Sequence, residues 1–223
     1  MATYNRETKL SDALMSHPSL IPLLNRMDIK LGVGDLSIGE ICNQHNIDVK
    51  FFLSLINTYL DEEYFPIDAF SDFSVEKTIS YLEKTGDFYL KVQLPNIENH
   101  FSILIKRSGN ENNLFHLKHF FNDLQNQLKE SVIYEKEHIF PLIREKRIGQ
   151  TDKEKLISVN KEVEEKLDDL LTFFVVYLKG DYDINLCMAV VSTVFSLRKD
   201  LSQNNRIRTR ILIPLLDRTK EIK

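Results

Sequence analysis

The chain has 223 residues, of which 43% are hydrophobic and 28% are charged, and its formal net charge is −4. This composition argues against nucleic acid or an anionic membrane as the main partner, and no apolar run reaches the ~18 residues that a membrane-spanning helix needs. The polar N-terminus and two widely separated cysteines, Cys42 and Cys187, predict a cytoplasmic protein in which both thiols are buried and form no disulfide.

Residues 1–65 carry short helical segments broken by turn signals, and we expect a small helical N-terminal domain here. The apolar stretch LIPLLNRM (20–27) predicts a helix. The stretch LGVGD (31–35) predicts a turn, because its two glycines permit backbone angles that other residues resist. Pro66 is the predicted end of this domain.

Two further helix starts in this region carry capping signals. Ser37 is followed by Glu40 three residues later, which is the pattern of a capping box and predicts a helix through Cys42. Asp48 is a suitable N-cap for a helix within NIDVKFFLSLINTYL (46–60).

The second predicted domain, residues 72–223, consists of four long amphipathic helices. Their expected spans are about Ser74 to Arg107 with a bend at Pro95, Asn113 to Lys146, Asp152 to Lys179, and Ile184 to Thr219. We find no strand-like alternation and no internal sequence repeat. Four such helices joined by short loops predict an all-α fold with an antiparallel four-helix bundle.

Polar or small residues interrupt the apolar stripe of each long helix. In the second helix the stripe continues, by steps of three and four residues, through Leu128, Ser131, Glu135, His138 and Leu142. Across all four helices the interruptions are Gly86, Arg107, Ser131, Glu135, His138, Asn160, Asn204 and Arg208. Charges and amides need partners in a core, so these residues predict one polar level inside the bundle. The alternative is that the two arginines extend along the core surface to solvent.

Five stretches carry a family resemblance. They are LLNRMDIKLGVGDLSIGEICNQHNIDVKFFLSLIN, YLEKTGDFYLKVQLPNI, FFNDLQNQLKESVIYEKEHIFPLI, VNKEVEEKLDDL and DLSQNNRIRTRILIPLL. Together they resemble the hemerythrin-like di-iron proteins of the iron–sulfur cluster repair (repair of iron centres) family, in its Bacteroides-type form. The resemblance covers nearly the whole chain and implies a small N-terminal helical domain followed by a hemerythrin-like bundle.

The resemblance also implies where a di-iron site would lie. The family's histidine and carboxylate ligand positions fall on Gly86, Arg107, Ser131, Glu135, Asn160, Asn204 and Arg208. Of these, Glu135 keeps a residue type that the family uses. The cysteine pair that such repair proteins carry in the N-terminal turn falls at Leu31 and Gly32, which have no thiol.

These replacements predict the loss of the metal site. Iron in such a centre needs imidazole nitrogens and bridging carboxylates, whereas glycine supplies no ligand and arginine is a fixed cation that only donates hydrogen bonds. We therefore expect no cofactor and no bound metal. The alternative is a di-iron or other metal site held by Glu135 and His138, which have the Glu-x-x-His spacing of carboxylate bundles.

A buried carboxylate without a metal would need another partner. Arg208 and Arg107 are the candidates to neutralise Glu135, which predicts an ion pair in the place of the metal. Three further residues would complete its hydrogen-bond network: Ser131, Asn160 and Asn204.

A histidine pair and a basic C-terminal segment are two further patterns, and for each we prefer a structural explanation to a functional one. His116 and His119 are three residues apart, but no third ligand accompanies them, so surface histidines are expected. The segment 198–223 has eight Lys or Arg and three Asp or Glu, a net charge of 8 − 3 = +5. We expect a solvated helix end, favourable for cations, rather than a nucleic-acid face.

The sequence favours a role without catalysis. The leading hypothesis is a binding or regulatory protein of a stress or redox response, with a hemerythrin-like bundle that has lost its di-iron site. The alternative is repair of iron–sulfur centres through an atypical metal site. The expected partner is a protein or a small molecule, with a homodimer as one candidate, and neither membrane nor nucleic acid is favoured.

Overall fold

The computed structural model describes residues 4–65, 74–109 and 113–221. Within these ranges the protein is all-α, and its extended pairing is limited to an isolated antiparallel bridge between Lys9 and Ser37. No helix in the described part of the chain has the length and apolar character to cross a bilayer. Pro66 and the predicted domain start at residue 72 lie outside the described residues.

The N-terminal region consists of short helices, as the sequence predicts. They are α1 (Leu10–Ser16), a 3₁₀ turn (Pro18–Leu20), α2 (Ile21–Arg26), α3 (Ile38–Gln44) and α4 (Val49–Leu60). The sequence did not predict α1. The other three confirm its predictions, with boundaries shifted by a few residues.

The capping residues confirm why α3 and α4 begin where they do. Ser37 Oγ accepts a hydrogen bond from the Glu40 backbone N–H at 3.2 Å, and the Glu40 carboxylate accepts one from the Ser37 N–H at 2.8 Å. The Asp48 carboxylate accepts from the Phe51 N–H at 3.1 Å. Gly32 and Gly34 have φ angles of +92° and +61°, so the predicted glycine turn is confirmed.

The four predicted long helices are present, but each contains a five-residue π-helical turn. The first is α5 (Val75–Phe88), a π-turn (Tyr89–Gln93) and α6 (Leu94–Arg107). The second is α7 (Leu114–Tyr134), a π-turn (Glu135–Ile139) and α8 (Phe140–Arg144). The third is α9 (Gln150–Thr172) with a π-turn (Phe173–Tyr177), and the fourth is α10 (Ile184–Ile207), a π-turn (Arg208–Leu212) and α11 (Ile213–Glu221).

Three of these π-turns stand at one fixed distance from a proline. The first residue of the turn is six positions before the proline, in the pairs Tyr89–Pro95, Glu135–Pro141 and Arg208–Pro214. Proline has no N–H for the carbonyl four residues earlier, and its ring crowds that carbonyl. A locally wider turn relieves both problems, which explains the shared spacing.

The contacts divide the chain into two compact units. Unit 1 is Met1–Thr85 with Gln203–Lys223, and unit 2 is Gly86–Ser202. This division falls inside α5 and α10, whereas the predicted domains were 1–65 and 72–223. The predicted boundary lies outside the described residues and stays a prediction.

Unit 2 contains one continuous apolar core. In it α7 packs along α9 and α6 packs against α7. Its buried residues include Leu94, Ile97, Phe101, Leu117, Phe121, Leu124, Leu128, Val163, Leu167, Leu170, Val190, Val194 and Leu197. They recur at three- and four-residue spacing, so the amphipathic pattern was read correctly along most of each helix.

Candidate functional site

Six of the eight inward polar positions predicted from the sequence are buried. These are Gly86, Ser131, Glu135, Asn160, Asn204 and Arg208. The other two, Arg107 and His138, are exposed, so the prediction that they face the core is wrong. Each of these errors has a local cause.

The π-turn at Glu135–Ile139 explains the exposed His138. A π-turn needs one more residue per turn than an α-helix, so the helix face advances by one position. Beyond Glu135 the buried residues of this helix are therefore Ile139, Phe140 and Ile143, while Leu142 is half-buried. His138 does not share the buried face of Glu135, and the alternative Glu-x-x-His metal pair is not brought together.

Arg107 is exposed because it lies at the end of α6. The buried stripe Leu94, Ile97, Phe101 and Leu104 continues to the half-buried Ser108, which leaves Arg107 one position off the stripe. Arg107 is also the last residue of the helix, where an exposed cation interacts favourably with the helix dipole.

Glu135 and Asn160 form the polar centre of unit 2. Each side chain is 3% exposed. The Asn160 Nδ2 donates to Glu135 Oε1 at 2.7 Å and to the Leu156 carbonyl at 2.8 Å. A hydrogen bond to a carboxylate is stronger than one between neutral groups. The amide nitrogen has no lone pair to offer a metal, so at this contact Asn160 acts as a hydrogen-bond donor to the carboxylate.

Gly86, also in unit 2, is a place of close packing. A Cβ atom placed on Gly86 would lie 2.6 Å from Val132 Cγ1, which is closer than real carbon atoms approach. Val132 has a short, stiff side chain and cannot easily move away. The family resemblance assigns a histidine to position 86, but the space for its side chain is filled by a methyl group of Val132.

Unit 2 also buries two charged residues that the sequence analysis did not single out. Lys153 is 2% exposed and Asp200 is 3% exposed. Lys153 stands seven residues before Asn160 and three before Leu156, so the spacing along α9 could have identified it. Asp200 stands three residues after Leu197 and four before Asn204, so the spacing along α10 could have identified it as well.

In unit 1, Asn204 belongs to a buried chain of hydrogen bonds that the sequence did not predict. Arg26 Nη1 donates to the hydroxyls of Tyr59 at 2.6 Å and Tyr81 at 3.3 Å, and these hydroxyls are 2.6 Å apart. The Tyr81 hydroxyl donates to Asn204 Oδ1 at 2.9 Å. Because Tyr81 uses its proton there, Tyr59 is the donor in the tyrosine pair. Arg26 is 1% exposed, so the two hydroxyl oxygens are hydrogen-bond acceptors for a buried guanidinium.

Arg208 is buried in unit 1, and its Nη1 is 3.4 Å from Asn205 Oδ1. Its predicted ion-pair partner, Glu135, belongs to unit 2. That pairing stays a prediction.

A pocket of about 440 Å³ opens in unit 1, within the size range of small-molecule sites. Its lining residues come from four separate segments: Arg26, Met27, Asp28, His45, Asn46, Ile47, Asp48, Phe51, Glu76, Lys77, Ser80, Tyr81 and Lys84. Two ion pairs lie along it, Lys84–Asp28 at 2.5 Å and Lys77–Asp48 at 3.5 Å. Buried aromatic rings and a mixed-charge rim suit a small polar molecule with an apolar body.

Two arginines of the basic C-terminal segment, Arg206 and Arg210, bind other residues of unit 1. Arg206 donates to the carbonyls of Thr58 at 3.2 Å and Tyr59 at 2.9 Å, and it pairs with Glu62 at 3.0 Å. Arg210 donates to the Tyr64 carbonyl at 3.0 Å. Thr58 and Tyr59 lie in the last turn of α4, where their carbonyls have no partner within the helix. Arg206 supplies hydrogen bonds to both carbonyls, and its positive charge interacts favourably with the helix dipole. The prediction of a solvated helix end is therefore wrong for these two arginines, which form hydrogen bonds within the protein.

Both cysteines are free and buried, which confirms the prediction. Burial raises the pKa of the Cys42 thiol to about 12, and burial also raises the pKa of the Cys187 thiol. A raised pKa suppresses the thiolate, which is the reactive form. Neither residue has the setting of a catalytic thiol.

The remaining histidine prediction is confirmed, since His116 and His119 are both exposed beside Phe115. In the ranges 4–65, 74–109 and 113–221, no group of three or more His, Cys, Asp or Glu is placed to hold a metal ion. Neither the protein-family models nor the curated proteins compared with this chain give a match.

Proposed function

We propose that this protein is a hemerythrin-like four-helix bundle of the iron-centre repair type whose di-iron site has been replaced by a hydrogen-bonded polar core. It acts as a non-catalytic binding or regulatory protein in a cytoplasmic stress or redox response. The observation that carries the proposal is the hydrogen bond from Asn160 to Glu135 at 2.7 Å. It joins two positions at which the resemblance expects metal ligands.

The packing at Gly86 supports the same proposal. A histidine there would have to displace Val132, because even a Cβ would lie 2.6 Å from its methyl carbon. A histidine at position 86 would fit only if the residues around Val132 on α7 repacked. The apolar contact therefore favours a core that no longer holds iron.

The binding role is supported by the pocket in unit 1. Its lining includes Arg26 and Tyr81, which belong to the buried network that includes Asn204. Occupancy of the pocket could thus affect a residue at a former ligand position. Free, buried thiols are also what a reducing compartment preserves.

The alternative, iron-dependent repair through Glu135 and His138, has less support. Glu135 is buried, whereas His138 is exposed beside Tyr134. A shared metal would need both side chains to point to one place.

Metal analysis of untagged protein from iron-supplemented cells tests the proposal. We expect less than about 0.1 iron per chain, because ligand identity and number determine metal affinity. A value near two irons per chain would contradict the proposal and favour the repair function.

Restoring ligands gives a sharper form of this test. Ser131→His with Asn160→His would place two imidazoles beside Glu135 on α7 and α9, and we expect the variant to bind Zn²⁺ or Fe²⁺ near one ion per chain. The matched control adds Glu135→Gln, which keeps the shape and removes the charge. Metal bound equally by both variants would show that the site was not recreated around this carboxylate.

A further inference from the structure

Helix α10 carries a second apolar stripe on an exposed face. Ile184 and Met188 are each 62% exposed and Phe195 is 50% exposed, while Val191 between them is half-buried. Large apolar side chains rarely stand this open in a row on a monomeric protein. The stripe is separate from the buried one, which the same helix uses in unit 2 and which consists of Cys187, Val190, Val194, Leu197 and Leu201.

The spacing of the exposed stripe is that of a helix–helix seam. The steps from Ile184 to Met188, Val191 and Phe195 are four, three and four residues. This is the repeat by which two helices pack side by side, with each apolar residue entering the space between residues of the other helix. A stripe needed only for the core of unit 2 would not repeat on a second face.

The borders of the stripe permit close approach. The exposed residues beside it are Asn185, Ser192 and Ser196, which are uncharged and small or of moderate size. No charged residue has to lose its water when another helix covers this face. A membrane surface is a poor match, because a cationic border of the kind that binds anionic lipids is missing from this stretch of the described helix.

Charges at the two ends of the stripe select one orientation. Asp181 and Asp183 precede Ile184, and the exposed Lys199 follows Phe195. Arg198, next to Lys199, pairs with Asp168 of its own chain at 2.8 Å. In an antiparallel pair of two such helices, the acidic end of each copy meets the basic end of the other. A parallel pair would place like charges together at both ends, which is unfavourable.

We propose that α10 pairs with α10 of a second copy of this chain, antiparallel about a two-fold axis near residues 189 and 190. In this register Ile184 faces Phe195, Met188 faces Val191, and Asp181 lies near Lys199 of the other copy. Such an interface is self-complementary, as two-fold symmetry requires. This inference goes beyond the proposed function and is independent of the metal question.

The size of the stripe determines the expected affinity. From residue 184 to residue 195 it extends about 16 Å, at 1.5 Å of rise per residue. A single stripe of this length is smaller than a standard interface, so we expect a dissociation constant in the range of about 1–100 µM.

Sedimentation of the full chain between about 1 and 300 µM, a span chosen to bracket that affinity, tests the proposal. We expect a shift from 26.1 kDa to twice that mass. Met188→Glu should remove the dimer over the whole range, since it places a carboxylate in the seam. Met15→Glu is the matched control because Met15 is also exposed, at 84%, but belongs to unit 1; it should leave the dimer unchanged. A wild type that stays monomeric at the highest concentration, or a Met188→Glu protein that still dimerises, would overturn the proposal.

Charge reversal checks the orientation without touching the apolar residues. Lys199→Glu should weaken the dimer at least about fivefold, because it places like charges at the ends of the stripe. Adding Asp181→Lys should restore most of that loss. If the double variant is weaker than the single one, the antiparallel register is wrong.

Cysteine crosslinking gives a second, geometric readout. The native thiols are buried and react slowly, so an engineered cysteine reports alone. A mixture of Ile184→Cys and Phe195→Cys proteins should form a mixed disulfide dimer, since these positions face each other. Ile184→Cys alone should not, because its two copies would stand about 16 Å apart along the seam. Crosslinking of Ile184→Cys with itself would instead indicate a parallel pair and overturn the proposed arrangement.

Discussion

At Gly86 a missing side chain leaves the space that the Val132 methyl group fills. Glycine in a helix interior normally costs about 0.5–1 kcal/mol relative to alanine. Here the Val132 methyl group occupies the space that a Cβ would need. The usual preference for alanine is therefore reversed by packing.

We expect Gly86→Ala to reduce the free energy of unfolding by about 1–3 kcal/mol, the usual cost of overpacking a core. Chemical denaturation followed by circular dichroism measures it. In a Val132→Ala background the same substitution should become neutral or stabilising by about 0.5–1 kcal/mol. Equal effects in both backgrounds would mean that the two residues do not clash.

At the scale of the element, the π-turns decide which residues face the core. The sequence predicted that Ser131, Glu135 and Asn160 are buried, because they continue an apolar stripe at regular spacing. It failed at His138, just after the turn that begins at Glu135. An α-helical period cannot be carried across a turn that contains one extra residue.

This phase shift can be tested by deleting residues from the helix. Lys136 is exposed and lies in the π-turn, whereas Lys129 is exposed and lies in regular α7. In a Pro141→Ala background, which removes the need for a wide turn, deletion of Lys136 should change the free energy of unfolding by less than about 2 kcal/mol, because the later residues keep their faces.

Deletion of Lys129 in the same background is the control. It should cost several kcal/mol or prevent folding, because every later residue of the helix rotates by about 100° and buried side chains turn outward. Urea unfolding of the two variants compares them directly. Equal losses would show that the π-turn does not absorb a residue.

For the whole molecule, each of the two contact units contains one free cysteine. Cys42 lies in unit 1 and Cys187 in unit 2, and α5 and α10 each continue through the division between them. Because both thiols are buried, each becomes reactive when its own unit opens. The pair thus reports whether the units unfold together.

We expect both thiols to resist a thiol-specific reagent at pH 8 and to become reactive at the same urea concentration, since shared helices couple the units. Different urea midpoints for the two thiols would contradict this.

Burial raises the pKa of the Cys42 thiol from its ordinary value near 9 to about 12. The folded state disfavours the thiolate. The contribution of Cys42 to the free energy of unfolding is therefore complete below pH 9 and is lost as the pH rises toward 12.

The sequence by itself determined all the helices except α1, the caps at Ser37 and Asp48, the glycine turn and most of each buried stripe. Those features depend on hydrogen bonds and side-chain spacing within a few residues of the chain. Only the tertiary structure decided that Asn160 donates to Glu135, that Val132 fills the space beside Gly86, and that Arg26 is held by Tyr59 and Tyr81. Each of these contacts joins residues more than twenty positions apart. Their partners were chosen by packing between helices, which no local spacing records.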